Sequence, residues 1–178
     1  ERFEIGTLTI KDSNISVANG VYAGGLPVKP VVVVNVGGKT LVEGTDYELE
    51  YGASDDRTKV TTTKSLTVKV VGKNGYRTDG TVSKNWGIDK FNLANADVTV
   101  DGDKVTVKCG RVDVETSEYT VEQKDGKVTV TAKKDSKNYT GSKTIDAATQ
   151  DQKPAAPMIS NVKVVGNKAT VILSGESE

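Results

Sequence analysis

Along most of the 178-residue chain, apolar and polar residues alternate with a period of two, the mark of half-buried strands. "VTVDGDKVTVK" (Val98 to Lys108) predicts two such strands around Asp101-Gly102, since Gly accepts the positive φ of a tight hairpin. "VEQKDGKVTVTA" repeats the device at Asp125-Gly126, "VKVVGNKATVIL" at Gly166-Asn167 and "VVVVNVGGKTLVEG" at Gly37-Gly38. The Val run before Gly37 predicts a strand covered on both faces. "FNLANADV" has weak helical spacing, but it is short and leads straight into a strand. No amphipathic helix is expected.

One phrase occurs twice. "EGTDYELEY" (Glu43 to Tyr51) returns as "ETSEYTVEQ" (Glu115 to Gln123), 72 residues later. At an offset of 83, "FEI" (Phe3 to Ile5) meets "WGI" (Trp86 to Ile88), Ile10 meets Leu93, Ile15 meets Val98 and Val17 meets Val100. Further on, "LTVKVVGKNGY" meets "VTVTAKKDSKNY", and Ile88 falls opposite Ile145 at an offset of 57. The drift is what deletions in loops and edge strands produce. Self-similarity of this kind predicts an array of related units. Residues 1–5 then end a preceding repeat, 6–88 form the first β repeat domain and 89–146 a shorter second one. "DQKPAAP" within 147–157 is an extended linker, and 158–178 hold two further strands that cannot bury a core alone. Those strands either begin another module or dock on the second domain. The start at "ERFEI" and the end at "GESE" read as cuts within a longer protein. Tyr47 shares parity with Leu49 and Tyr51, which points it inward with its hydroxyl at the rim.

Composition agrees. With 27 Val and 21 Thr, over a quarter of the chain is of two β-branched types that fit a pleated surface. Nine aromatics and one Met leave thin, Val-filled cores. The fold expected is all-β: tandem small Ig-like sandwiches in an elongated array, with a β-grasp-like sheet as the alternative for the second unit. Lys plus Arg equals Asp plus Glu at 24 each, which argues against nucleic acid or an anionic membrane as partner. His is absent and Cys109 is the lone Cys, so the usual general base, an internal disulfide and a CxxC metal site are excluded. No signal peptide, transmembrane run or sorting motif is visible. Scarcity of Cys and His also fits a secreted Gram-positive protein.

The string Tyr22-Ala-Gly, then "PVKPVVVVNVGGKTLVEGTDYELEY", then "VKVVGKNGYRTDGTVSKNWGI" resembles a tandem β repeat of large surface and secreted proteins of gut Firmicutes. The first unit matches over most of its length. It departs at "GKNGYRTDG" and in the inserted "SDDRTKVTTTK". The second keeps the Tyr119 strand and "NYTG" but lacks the Tyr-x-Gly opening. The tail "KPAAPMISNVKVVGNKATVILSG" is similar to the first strands of a fibronectin type III or Ig-like module. The resemblance implies spacers or stalks in adhesins, or ancillary modules beside secreted enzymes, and it brings no catalytic residues.

Candidate chemistry is sparse. Trp86, the only Trp, invites sugar stacking, yet Val82, Trp86 and Ile88 share one strand face, which favours core packing. Tyr76 and Tyr139 follow turns and are expected to be the more exposed pair. Cys109 shares parity with Val105 and Val107 and reads as a small buried apolar residue. "DGD" (Asp101 to Asp103) and "SDD" (Ser54 to Asp56) supply too few oxygens for Ca²⁺ and read as turns. Among 24 acids no pair stands out for glycoside chemistry. An internal Lys–Asn bond has the residue types but no marking spacing.

The expected function is therefore a non-catalytic spacer or stalk in a cell-surface or secreted multidomain protein, extracellular or cell wall-associated. It needs no cofactor or metal, and its partners are the neighbouring domains of its own chain. The alternative is an adhesin-type module binding a host or dietary glycan or protein, with Tyr76, Trp86 and Tyr139 as candidate contacts. The two differ in whether Trp86, Tyr76, Tyr22 and Tyr139 lie side by side on the surface.

Overall fold

The computed structural model describes residues 7–147, and beyond them the backbone of two strands. Ten strands precede Lys90: β1 (Leu8–Ile10), β2 (Ile15–Ala18), β3 (Gly20–Val21), β4 (Val31–Val36), β5 (Lys39–Thr40), β6 (Tyr47–Tyr51), β7 (Leu66–Gly72), β8 (Tyr76–Thr78), β9 (Val82–Trp86) and β10 (Ile88–Asp89). They form two three-stranded antiparallel sheets, β2-β4-β5 and β6-β7-β9, and two parallel pairs, β1 with β8 and β3 with β10. Eight follow: β11 (Phe91–Asn92), β12 (Asp97–Asp101), β13 (Lys104–Cys109), β14 (Val112–Asp113), β15 (Tyr119–Lys124), β16 (Lys127–Ala132), β17 (Tyr139–Thr140) and β18 (Ser142–Asp146). They give sheets β12-β13-β14 and β15-β16-β18 and one parallel pair, β11 with β17. The chain is all-β, and its described helical turns are single 3-10 turns. Leu93–Asn95 is one of them, capped where Asn92 Oδ1 accepts the Ala94 N–H at 3.0 Å, and it accounts for the weak helical spacing of "FNLANADV".

The pairings recur from one set to the other. Ile15 faces Val34 as Val98 faces Val107, and Val36 faces Lys39 as Cys109 faces Val112. Tyr47 faces Gly72 as Tyr119 faces Ala132, and Leu8 faces Tyr76 as Phe91 faces Tyr139. One detail of the sequence alignment is corrected. Val68 pairs with Lys84 and Val128 with Ile145, so Ile145 matches Lys84, not Ile88. The hairpins fall where the turn residues put them. At β15–β16 the two central residues, Asp125 and Gly126, sit at φ 51° and 69°, the left-handed pair that a right-twisted two-residue hairpin requires. β4 differs from expectation. Val34 and Val36 point inward, but Val31 and Val33 are exposed at 61% and 37%, because none of the described residues covers that outer face.

The interior shows where the two sets diverge. The cluster around Ile10, Val34, Leu41, Tyr47 and Val70 has its match around Leu93, Val107, Val114, Tyr119 and Val130. The first set holds a further cluster of Val28, Leu66, Val68, Trp86 and Ile88, with Tyr51 packed on it. Much of its bulk comes from Trp86 and from Val28 in the longer loop at 22–30. In the second set, register places Gln123 at the Tyr51 position, Gly126 at the Leu66 position and Ala147 at the Trp86 position. An open cleft of about 340 Å³ lies beside Gln123, lined by Val105, Tyr119 and Val121 among others. Outer faces carry cross-strand ion pairs, Glu50–Lys69 at 2.9 Å and Asp146–Lys127 at 2.7 Å, which favour register and solubility more than stability.

The last two strands, β19 (Met158–Val165) and β20 (Lys168–Ser174), form an antiparallel hairpin with a bulge between Ile159 and Asn161. The preceding-repeat strand at residues 1–5, the Pro/Ala linker beyond Ala147 and the Gly166-Asn167 turn lie outside the described residues.

Candidate functional site: the joint between the two sets

The chain passes from one set to the other without a loop. β9 ends at Trp86, β10 pairs with β3 in the first set, and β11 pairs with β17 in the second, with Lys90 alone between them. Each half is pinned. Gly20 donates to the Gly87 carbonyl at 3.0 Å and Tyr22 to the Asp89 carbonyl at 2.9 Å. Asn19 accepts the Gly87 N–H through Oδ1 at 2.9 Å and donates through Nδ2 to Asp89 Oδ1 at 2.9 Å. On the other side Phe91 donates to the Asn138 carbonyl at 2.9 Å, and Lys90 Nζ donates to the Ser136 carbonyl at 2.5 Å. A connector whose backbone groups are paired on both sides has little torsional freedom left.

A second contact runs from the loop after β3. The Tyr22 ring stands edge-on to Tyr139, centroids 5.5 Å apart at 87°, and Tyr139 in turn meets Phe91 at 6.3 Å and 82°, the geometry that ring quadrupoles favour. The Cys109 thiol donates to the Tyr22 carbonyl at 3.5 Å. Gly24, at φ +68°, lies so close that a Cβ there would sit 2.6 Å from Val112 Cβ, so only Gly permits both the backbone and the approach. Tyr22 thus helps wall the second set's core. The traffic is one-way, since the partly buried side chains packed on both first-set clusters all come from before Lys90.

Burial raises the Tyr139 and Tyr22 phenols, and the neighbouring Cys109 and Glu118 push both the same way. Burial likewise raises the Cys109 thiol. All three stay protonated at neutral pH, which makes Cys109 a packing group and a poor nucleophile.

Of the three candidate contact residues, Trp86 and Tyr139 are buried and Tyr76 is half-buried. Trp86 is fully buried, edge-on to Tyr51 at 6.3 Å, and the Arg57 guanidinium covers the Tyr51 ring at 4.2 Å. Tyr139 is buried, not exposed, because the pairing with β11 and the cover from Tyr22 both come from distant sequence. Tyr76 is half-buried, and its hydroxyl accepts from Lys39 Nζ at 3.2 Å, whose amine also approaches Asp46 at 3.5 Å. No two of these rings make a shared surface patch. Tyr47 does point inward, its hydroxyl reaching the Val32 carbonyl at 3.5 Å.

"SDD" is a turn whose oxygens are in use. Asp55 accepts the Thr67 N–H at 2.8 Å, and Asp56 accepts from Thr58 and pairs with Lys59 at 2.6 Å. The Lys59 contact, with the Thr58 bonds, holds Asp56 down at about 2. Among the described residues no three His, Cys, Asp or Glu side chains gather as a metal would need, and no helix is long and apolar enough to cross a membrane. The described asparagines that bond through their side chains do so to backbone groups, Asp89 or Thr40, while Lys amines pair with carboxylates, Tyr76 or backbone carbonyls. No family model, curated protein or solved structure matches the chain.

Sequence reading named Tyr22 only as a candidate surface aromatic and did not place it at the joint. Tyr22 lies in a stretch without a counterpart in the second set, so the comparison of repeats passed it over. The one signal was Gly24-Gly25 next to a lone Tyr, a place where backbone could approach another body closely.

Proposed function

We propose that this chain is a non-catalytic spacer: two successive, related β-sandwich units of Ig-like type, part of an extracellular or cell wall-associated multidomain protein. The observation that carries this reading is the strand 88–92, whose first half is paired into one set and whose second half is paired into the other. Such a connector passes orientation from one unit to the next. Recurrence of the same four pairings supports a duplicated unit, and each set keeps its own buried cluster. The balanced surface of small cross-strand ion pairs keeps a rod soluble and blunts edge pairing. The described aromatic side chains pack on the buried clusters, so the glycan-binding alternative has no platform among the described residues.

Small-angle scattering from the 178-residue chain tests this. A fixed, elongated particle is expected, and a profile of one compact globule would overturn the spacer reading.

A further inference from the structure

We infer that the second unit folds only against the first, with the loop Tyr22–Leu26 acting as a strap that completes its core. This deepens the tandem-spacer reading and rests on it. The first set has two buried clusters and borrows no side chain from beyond Lys90. The second has one cluster, in which Val128 alone stands for the first set's further cluster, at the Val68 position. Where Tyr51, Leu66 and Trp86 would thicken it stand the smaller or polar Gln123, Gly126 and Ala147, and an open cleft lies beside Gln123. A body of this size is marginal even with a full core. Its cluster is closed on one side by Tyr22, edge-on to Tyr139, with the Tyr22 carbonyl accepting from the Cys109 thiol and Gly24 seated on Val112. The dependence has a direction. Opening the second unit costs the first nothing from its clusters, whereas opening the first removes the strap and the β3–β10 pairing that aims β11. Under load or denaturant the second unit yields first, and the first survives it.

The chain supplies one probe for each unit: Trp86 in the first core and Cys109 in the second. In a urea series on the whole chain, Trp86 fluorescence follows the first unit and maleimide labelling of Cys109 the second. The matched core positions Val70 and Val130 give a crossed test. V70A is expected to lower both transitions, and V130A only that of Cys109. G24V, whose side chain would meet Val112 of the second unit, is expected to speed Cys109 labelling in native buffer by about tenfold or more through local opening, with a smaller shift of the Trp86 midpoint because Tyr22 and Ala23 also pack on the Trp86 cluster. If V70A leaves Cys109 protection in place, the units are independent: the tandem reading stands and the strap inference falls. If V130A also moves Trp86, the two sets are one body, and the inference falls together with the reading beneath it.

Discussion

Trp86 and Tyr139 show how little a residue's type says about its use. Both are aromatic and close to turns, and both are sealed into cores. Trp86 packs with Val28, Leu66, Val68 and Ile88, so W86A should cost about 3–5 kcal/mol in urea unfolding. W86F should cost far less, because it keeps most of the volume and removes an indole N–H that is buried without a partner. The burial of Trp86 was legible from its parity with Val82 and Ile88. That of Tyr139 was not, since its cover comes from Phe91 and Tyr22, and local alternation carries no record of such contacts. The phenols at the joint give a pH test. Burial raises Tyr22 and Tyr139 above the ordinary 10.0, so their folded-state values exceed their unfolded ones. The stabilisation is complete below about pH 10 and is lost as pH rises beyond it. Part of the tyrosinate absorbance, that of Tyr22 and Tyr139, should therefore lag and then rise in one cooperative step; a titration curve with no lagging fraction would contradict the buried joint.

At the scale of elements, the antiparallel hairpins were readable and the parallel pairs were not. β12–β13 and β15–β16 announce themselves through Asp-Gly between alternating runs, with every signal inside a dozen residues. β1–β8, β3–β10 and β11–β17 are two or three residues long and join distant segments with no turn between them. The Val run of β4 misled for a related reason: β-branched residues suit a strand whether or not both faces are covered. The hairpin chemistry is testable at Gly126, where an added Cβ would touch nothing within 4 Å at φ +69°. G126A should thus show the backbone cost alone, about 1–2 kcal/mol in urea unfolding. A neutral substitution would mean that the β15–β16 turn is not left-handed.

For the whole molecule, the repeated Tyr-bearing phrase led to the repeated pairings, because a framework strand keeps its pattern while loops change length around it. The consequence of those length changes lay beyond sequence. Residues 19–30 look like an insertion, yet they supply β3, a filler for the first core and the strap on the second. The proposed spacer stands or falls on the strand 88–92 leaving no slack between the units. Spin labels at Thr45 and Lys104, both exposed and in different sets, placed as T45C and K104C in a C109A background, read this directly by electron–electron dipolar spectroscopy. A single narrow distance distribution is predicted, broadening when a flexible Gly-Ser insert follows Lys90. A distribution already broad without the insert would show that the two units swing freely, and the stiff joint would not exist.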